Sequence, residues 1–217
     1  MEKRQIIFKV AKQVKALLQD ESSGHDWWHA FRVWKMAERI AKKEKANEFV
    51  VSLAALLHDI ADWKFYDGDE SEGPKQAAKI LRQYGVQAPV IQHVCQIIKD
   101  MSFKGAKVKT PMKTLEGKIA QDADRLDALG AIGIARAFAF GSYKRGSIYD
   151  PKIKPAFHRS KQQYFANKSS TINHFYEKLL LLKDRMNTKT ARSLALGRHK
   201  FMVSYLKKFF KEWKGKQ

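Results

Sequence analysis

A single cysteine, Cys95, in 217 residues excludes an intramolecular disulfide, a cysteine-based zinc cluster and a CxxC redox pair, which fits a reducing cytoplasm. Carboxylates are also scarce. Asp and Glu number 22 against 42 Lys and Arg, leaving a net charge of +20 and a pI near 10, so attraction to polyanions or phosphorylated small molecules is expected. Long apolar runs are missing too. The N-terminal MEKRQIIFKVAKQVKALL places a lysine or arginine every few residues, so neither a signal peptide nor a membrane span is expected, and a cytoplasmic protein is. There is no low-complexity tract, and no stretch alternates apolar with polar residues as a half-buried strand does.

What remains is helical periodicity over a length that suits one domain with one sizeable core. Residues 3–19 put Ile6, Ile7, Val10, Val14, Leu17 and Leu18 on one stripe, and Ser22-Ser23-Gly24 breaks it. A second helix runs from Asp26 to about Lys43. Asn47 reads as the N-cap of FVVSLAALLHDI, whose apolar content implies a buried helix. After an acidic, glycine-containing loop, Pro74 suits the first turn of a fourth helix, and residues 88–100 and 114–129 read as two more. AIGIARAFAF continues the helical pattern. GSYKRGSIYDPKIKPAF, with two glycines and two prolines, reads as an irregular functional loop, before final helices over 170–186 and 188–212. The C-terminal end interleaves Lys200, Lys207, Lys208, Lys211, Lys214 and Lys216 with Phe201, Tyr205, Phe209, Phe210 and Trp213, which describes an amphipathic last helix better than a nucleic-acid groove. Scattered pairs such as Lys42-Lys43 read as solvated faces. The fold expected is all-α.

Three clusters interrupt apolar stretches with residues that bind cations: His25-Asp26-x2-His29-x2-Arg32, His58-Asp59-x2-Asp62, and Asp122-x-Asp124-Arg125-x2-Asp127. Burying Asp59 directly after LAALLH costs several kcal/mol, on the order of a desolvated ion, unless a cation or hydrogen bonds offset it. A divalent metal would offset it, with room left on an octahedral ion for water and a phosphate oxygen. Spacing alone leaves choices open. His25 and His29 stand i, i+4, also a good helical pair for zinc, and Asp122 and Asp127 compete with Asp124. Buried polar residues satisfied without any metal would explain the clusters as well.

GHDWWHAFRV, LLHDIADWKFYDGD, DADRLDALGAIGIAR and TINHFYEKLLLLKDRMNT together resemble the HD superfamily of metal-dependent phosphohydrolases, nearest to the bacterial YedJ/YpgQ-like branch. The resemblance covers almost the whole chain, with core motifs over 24–130 and helices 170–212 completing a single HD-type domain. It implies that His29, His58, Asp59 and Asp124 hold one divalent ion, with Mn²⁺ favoured and Mg²⁺, Ni²⁺, Fe²⁺ or Zn²⁺ compatible with the same donors. Asp62, three residues after Asp59, would orient or deprotonate the attacking water. His25 and Asp127 are expected to support the ligands from behind. His93 could serve a second metal, but the extra histidines of dinuclear sites are not at recognisable spacing. For phosphate, Lys104, Lys144 and Arg145 in glycine-bearing loops are the candidates. The function implied is hydrolysis of a nucleoside or deoxynucleoside triphosphate to monophosphate and pyrophosphate. The rivals are a phosphodiesterase acting on a cyclic nucleotide or oligonucleotide, and a non-catalytic nucleic-acid-binding protein, which the positive charge would also suit.

Overall fold

The computed structural model describes residues 1–19, 24–61, 69–166 and 169–216, which fall into two compact units. Among the described residues there is no strand, as the missing alternation required, and no helix is long and apolar enough to cross a membrane.

The first unit comprises residues 1–103 and 109–124. It contains α1 (Lys3–Leu18), α2 (Trp27–Glu44), α3 (Glu48–Leu57), α4 (Glu72–Gln83), α5 (Ala88–Asp100) and most of α6 (Leu115–Asp127). Helix α3 is its axis. Every residue from Phe49 to Leu57 is buried, because α1, α2 and α5 all pack on it. Asn47 caps it as the sequence reading expected, its side-chain oxygen accepting from the amides of Phe49 and Val50 at 3.2 and 3.4 Å. The stripe of α1 delivers Ile6, Val10, Val14 and Leu18 to this core, where each large aliphatic side chain contributes about 1.5–3 kcal/mol.

The second unit comprises residues 104–108 and 125–217. The helical pattern after α6 does not run on unbroken. Ala128 and Leu129 leave the helix, and α7 (Gly130–Tyr143) starts at a glycine with φ +74°. A β-carbon at Gly130 would also stand only 3.3 Å from Cβ of Arg198, so conformation and space both call for glycine. Helix α7 ends three residues inside the stretch read as irregular. After it come the short α8 (Lys161–Ala166) and α9 (Thr171–Glu177), a 3-10 helix over Leu179–Arg185, and α10 (Lys189–Trp213). The region 170–186 therefore divides where one helix was expected. Phe175, Leu179, Leu182, Met202 and Leu206 form the buried side of this unit.

Arginines hold its loops by their carbonyls. Arg185 donates to Gly105 and Val108, both at 3.3 Å, and to Ala106, while Arg125 donates to the carbonyl of Arg185 and Arg198 to that of Leu126. The carbonyls of Gly105 and Leu126 also accept from the amides of Val108 and Leu129, and the guanidinium forks add further donors to these loop and helix-end carbonyls. Arg185→Met keeps the aliphatic stem but strips these bonds from several carbonyls. It is expected to lower stability by about 2–3 kcal/mol, which a urea melt against the unsubstituted chain would measure.

Candidate metal centre

Two helix ends bring the central side chains together. Asp26 sits in extended backbone immediately before α2 and accepts from the amide of His29 at 2.8 Å, so the DWWH segment caps its own helix and fixes His29 in the first turn. Consecutive α2 and α3 pack on one another through the short connection at 45–47, which turns the end of α3 back toward the start of α2. His58 and Asp59 follow Leu57 directly, where α3 runs out. Asp124 comes from α6, with its side chain about one-third exposed.

Three donor atoms converge, and an Asp124 oxygen stands beside them. Nε2 of His29 lies 3.1 Å from Nε2 of His58, 3.1 Å from Oδ2 of Asp59 and 3.6 Å from Oδ1 of Asp124. Nε2 of His58 lies 3.3 Å from the same Asp59 oxygen and 3.8 Å from the same Asp124 oxygen. Ligands about 2.1 Å from a shared ion stand roughly 3.0 Å apart at right angles and 3.4 Å apart at the tetrahedral angle. The spacings among His29, His58 and Asp59, 3.1–3.3 Å, fall between those values, so these three donors fit one divalent cation, and the Asp124 oxygen stands slightly farther out at 3.6–3.8 Å from the imidazoles.

The tautomer of His58 fits as well. Its Nδ1 lies 2.9 Å from the carbonyl of Ala55, which can only accept, so Nδ1 carries a hydrogen and the neutral ring turns the lone pair of Nε2 toward the cluster. Two Nε2 atoms at 3.1 Å need either a shared proton or a shared ion between them. In the protein alone a proton serves. Burial opposes protonation of His58, but the charge and hydrogen bond of Asp59, the charge of Asp124 and the Ala55 carbonyl outweigh it and push the pKa up to about 9. Burial likewise opposes ionisation of Asp59. The charges of His58 and His25 and hydrogen bonds from His29 and His58 outweigh it, holding this carboxyl well below its usual range.

The ring of His25 meets that of His29 edge-on at 5.8 Å. Asp62 lies outside the described residues. The other sequence candidates are placed as follows. Asp127 is buried in the second unit and paired with Arg136 at 3.2 Å. Lys104 is half-buried, and Lys144 and Arg145 are exposed, all within that second unit. Nε2 of His93 is engaged with the Thr114 hydroxyl at 2.9 Å, a helix residue with a local partner.

A small open cleft adjoins His58 and Asp59 and is lined further by Glu70, Gly73, Lys99 and Ser102. The sequence reading passed over Glu70, Lys99 and Ser102. Glu70 looked like one more acid in a polar loop and Lys99 like one more solvated lysine; only the packing of α4 and α5 sets them beside the doublet.

Comparison with known proteins identifies the family. Residues 27–129 match the HD domain family. YpgQ of Bacillus subtilis (strain 168) is 42% identical over 204 residues, spanning 93% of this chain and 91% of its own. A crystal structure of that protein in complex with ADP superposes with a TM-score of 0.74 at 37% identity, covering 98% and 97% of the two chains. An HD-superfamily hydrolase from Bacillus thuringiensis superposes with a TM-score of 0.74 at 42% identity, covering 98% and 99%. A protein from Lactobacillus plantarum reaches 0.89 at 36% identity, covering 99% and 100%. An all-α scaffold with a His-His-Asp cluster defines a metal-dependent phosphohydrolase. The chain belongs to the HD-domain family.

The proton shared within the cluster has a measurable consequence. The pKa of His58 is raised above its ordinary 6.5, so its stabilising effect is full below pH 6.5 and is lost as pH rises through about 9. That of Asp59 is lowered, so its effect is present above its ordinary 3.8 and fades as pH falls below that. In chelator-treated protein the Tm advantage over His58→Gln is expected to be largest between about pH 4 and 6.5. It should shrink by several degrees by pH 9.5; an advantage that stays flat across that range would contradict the assignment.

Proposed function

We propose that the cluster of His29, His58, Asp59 and Asp124 holds one divalent cation, Mn²⁺ in the first instance, and hydrolyses a nucleoside or deoxynucleoside triphosphate to monophosphate and pyrophosphate. The observation that carries this reading is the mutual approach of His29, His58 and Asp59 at 3.1–3.3 Å, with an Asp124 oxygen 3.6–3.8 Å from both imidazoles, beside a cleft that offers both a lysine and an acid. Two imidazole nitrogens with two carboxylates suit Mn²⁺, Fe²⁺, Ni²⁺ or Zn²⁺, and Mg²⁺ less well. The ADP bound by the relative from Bacillus subtilis supports a nucleotide as the phosphorylated partner. Relatives align with both units over nearly their full lengths, which supports residues 1–217 acting as one HD-type enzyme.

When bound, the cation supplies Lewis-acid polarisation of a phosphate oxygen and acidifies water. The chain's own residues do the remaining work. Asp59 and Asp124 neutralise the charge of the ion, and the bond from His58 Nδ1 to Ala55 holds that ring so that its basic nitrogen faces inward. Lys99, on the cleft wall, is placed to pair with a phosphate oxygen, and Ser102 can donate to another. Lys104, Lys144 and Arg145 are further candidates for phosphate. Asp62 remains the sequence-derived candidate for guiding the attacking water. Glu70 is the described carboxylate on the cleft wall that can take up its proton.

The test is a panel of ribo- and deoxyribonucleoside triphosphates, monophosphates and a cyclic nucleotide incubated with Mn²⁺-loaded protein. Pyrophosphate release from triphosphates is expected; orthophosphate from monophosphates alone, or cleavage of the diester alone, would replace the reading. Asp59→Ala should lower turnover on the order of a thousandfold or more, because it removes a ligand and leaves two imidazoles without their counter-charge. Lys99→Met should raise KM several-fold with a smaller change in kcat, since a phosphate contact made equally in ground and transition states affects binding.

A further inference from the structure

The large positive charge is not absorbed by the metal centre, and part of it collects in the second unit. Gly130 abuts Arg198 and Phe138 meets Tyr205 at 6.3 Å, so α7 and α10 run side by side in the same direction and finish at one end. Tyr149, just beyond α7, closes that end by meeting Trp213 edge-on at 4.9 Å and Phe210 at 5.3 Å. Six exposed cations stand there: Lys144, Arg145, Lys207, Lys208, Lys211 and Lys214. The carboxylates are Asp150 and Glu212, the latter paired with Lys208 at 3.3 Å. Two helix C-termini present about half a negative charge each, far less than the excess of cations, so complementing helix dipoles does not account for it.

Two aromatic rings stand among these cations. Trp213 is stacked at 20° on Phe209 and yet 51% exposed, and Tyr143 is stacked at 25° on Phe140 and 47% exposed. Nζ of Lys144 stands 5.8 and 5.9 Å from the ring centroids of Phe140 and Tyr143. Trp213 is held by Phe209 and by the edge-on contact with Tyr149, Tyr143 by Phe140 and Lys144, and each ring still keeps about half its surface in water. Arg145 is held at φ +54°, a conformation that costs a non-glycine residue roughly 1 kcal/mol and here keeps a guanidinium at the turn.

We propose that this end of the second unit is a binding surface for single-stranded nucleic acid. The cations pair with successive phosphates, and Trp213 and Tyr143 stack with bases. A duplex cannot use the rings, since its bases are already stacked on one another. A lipid surface is disfavoured because the apolar stripe of α10, with Ala191, Ala195, Met202 and Leu206, is buried inside the unit and is not available to acyl chains. A second copy of the chain would bring like charge against like charge. In sequence this helix read as merely amphipathic. That holds for its body, whereas its last turns, next to the end of α7, present rings and cations together.

The test is fluorescence anisotropy of the full chain with labelled 20-nucleotide oligothymidylate and oligouridylate between 50 and 200 mM salt. Binding of either strand is expected, with affinity falling steeply with salt, by about 0.7 log unit per log unit for each phosphate contacted. Trp213→Ala should weaken it about tenfold while leaving that slope unchanged. The exposed double substitution Lys207→Glu/Lys211→Glu should weaken it more and flatten the slope, and it keeps the test decisive if Trp213→Ala perturbs folding by circular dichroism. Three results would overturn the proposal: a 20-base-pair duplex bound as tightly as the single strand, affinity indifferent to either variant, or binding to phosphatidylserine vesicles with none to the strands. All readouts are independent of hydrolysis, so failure here leaves the metal-centre reading standing.

Discussion

Two imidazoles and two carboxylates compressed into a space a few ångströms across are the constraint around which the first unit is organised. Each group would by itself be costly to bury, and a pair of imidazole nitrogens at 3.1 Å is unfavourable without something between them. Asp59 relieves this electrostatically, and a proton on His58 completes the balance in the protein alone. The same arrangement that holds a proton so tightly is suited to exchange it for a divalent cation, because both occupy the position where the lone pairs meet.

Rigid supports surround this cluster. His29 is set by the Asp26 cap, His58 by the carbonyl of Ala55, and the doublet as a whole by a helix that is buried along nearly its full length. Side chains held by such packing stay within the narrow tolerance that coordination geometry requires. The second unit meets the same demand for satisfied backbone with guanidinium groups, Arg125, Arg185 and Arg198 tying irregular segments by their carbonyls. Its chemistry is otherwise different. Its end is rich in cations and rings, where the first unit gathers histidine and carboxylate.

Much of this was legible in the residues. Apolar spacing located α1, α2, α5 and α10 to within a residue or two, and Asn47 marked the start of α3 by capping chemistry that operates locally. Where the reading failed, the cause was not local. Residues 170–186 carry an unbroken helical pattern, yet the chain leaves α-geometry at Lys178 and tightens into a 3-10 helix. The break before Gly130 was hidden by alanines and isoleucines that suit a helix on either side of it, and it is the close approach of Arg198 that makes glycine necessary there.

Residue type and order by themselves determined the all-α class, the three His/Asp clusters and the family they resemble, since periodicity and ligand chemistry are written along the chain. Tertiary structure alone decided which atoms share a centre. Asp124 is 65 residues from Asp59 in sequence, and only helix packing brings both carboxylates to the same two imidazoles. It likewise selected Glu70, Lys99 and Ser102 for the cleft and set the end of α7 beside that of α10. The reason is that helical period fixes which way a side chain faces on its own element, whereas distance between elements depends on how their buried faces fit together.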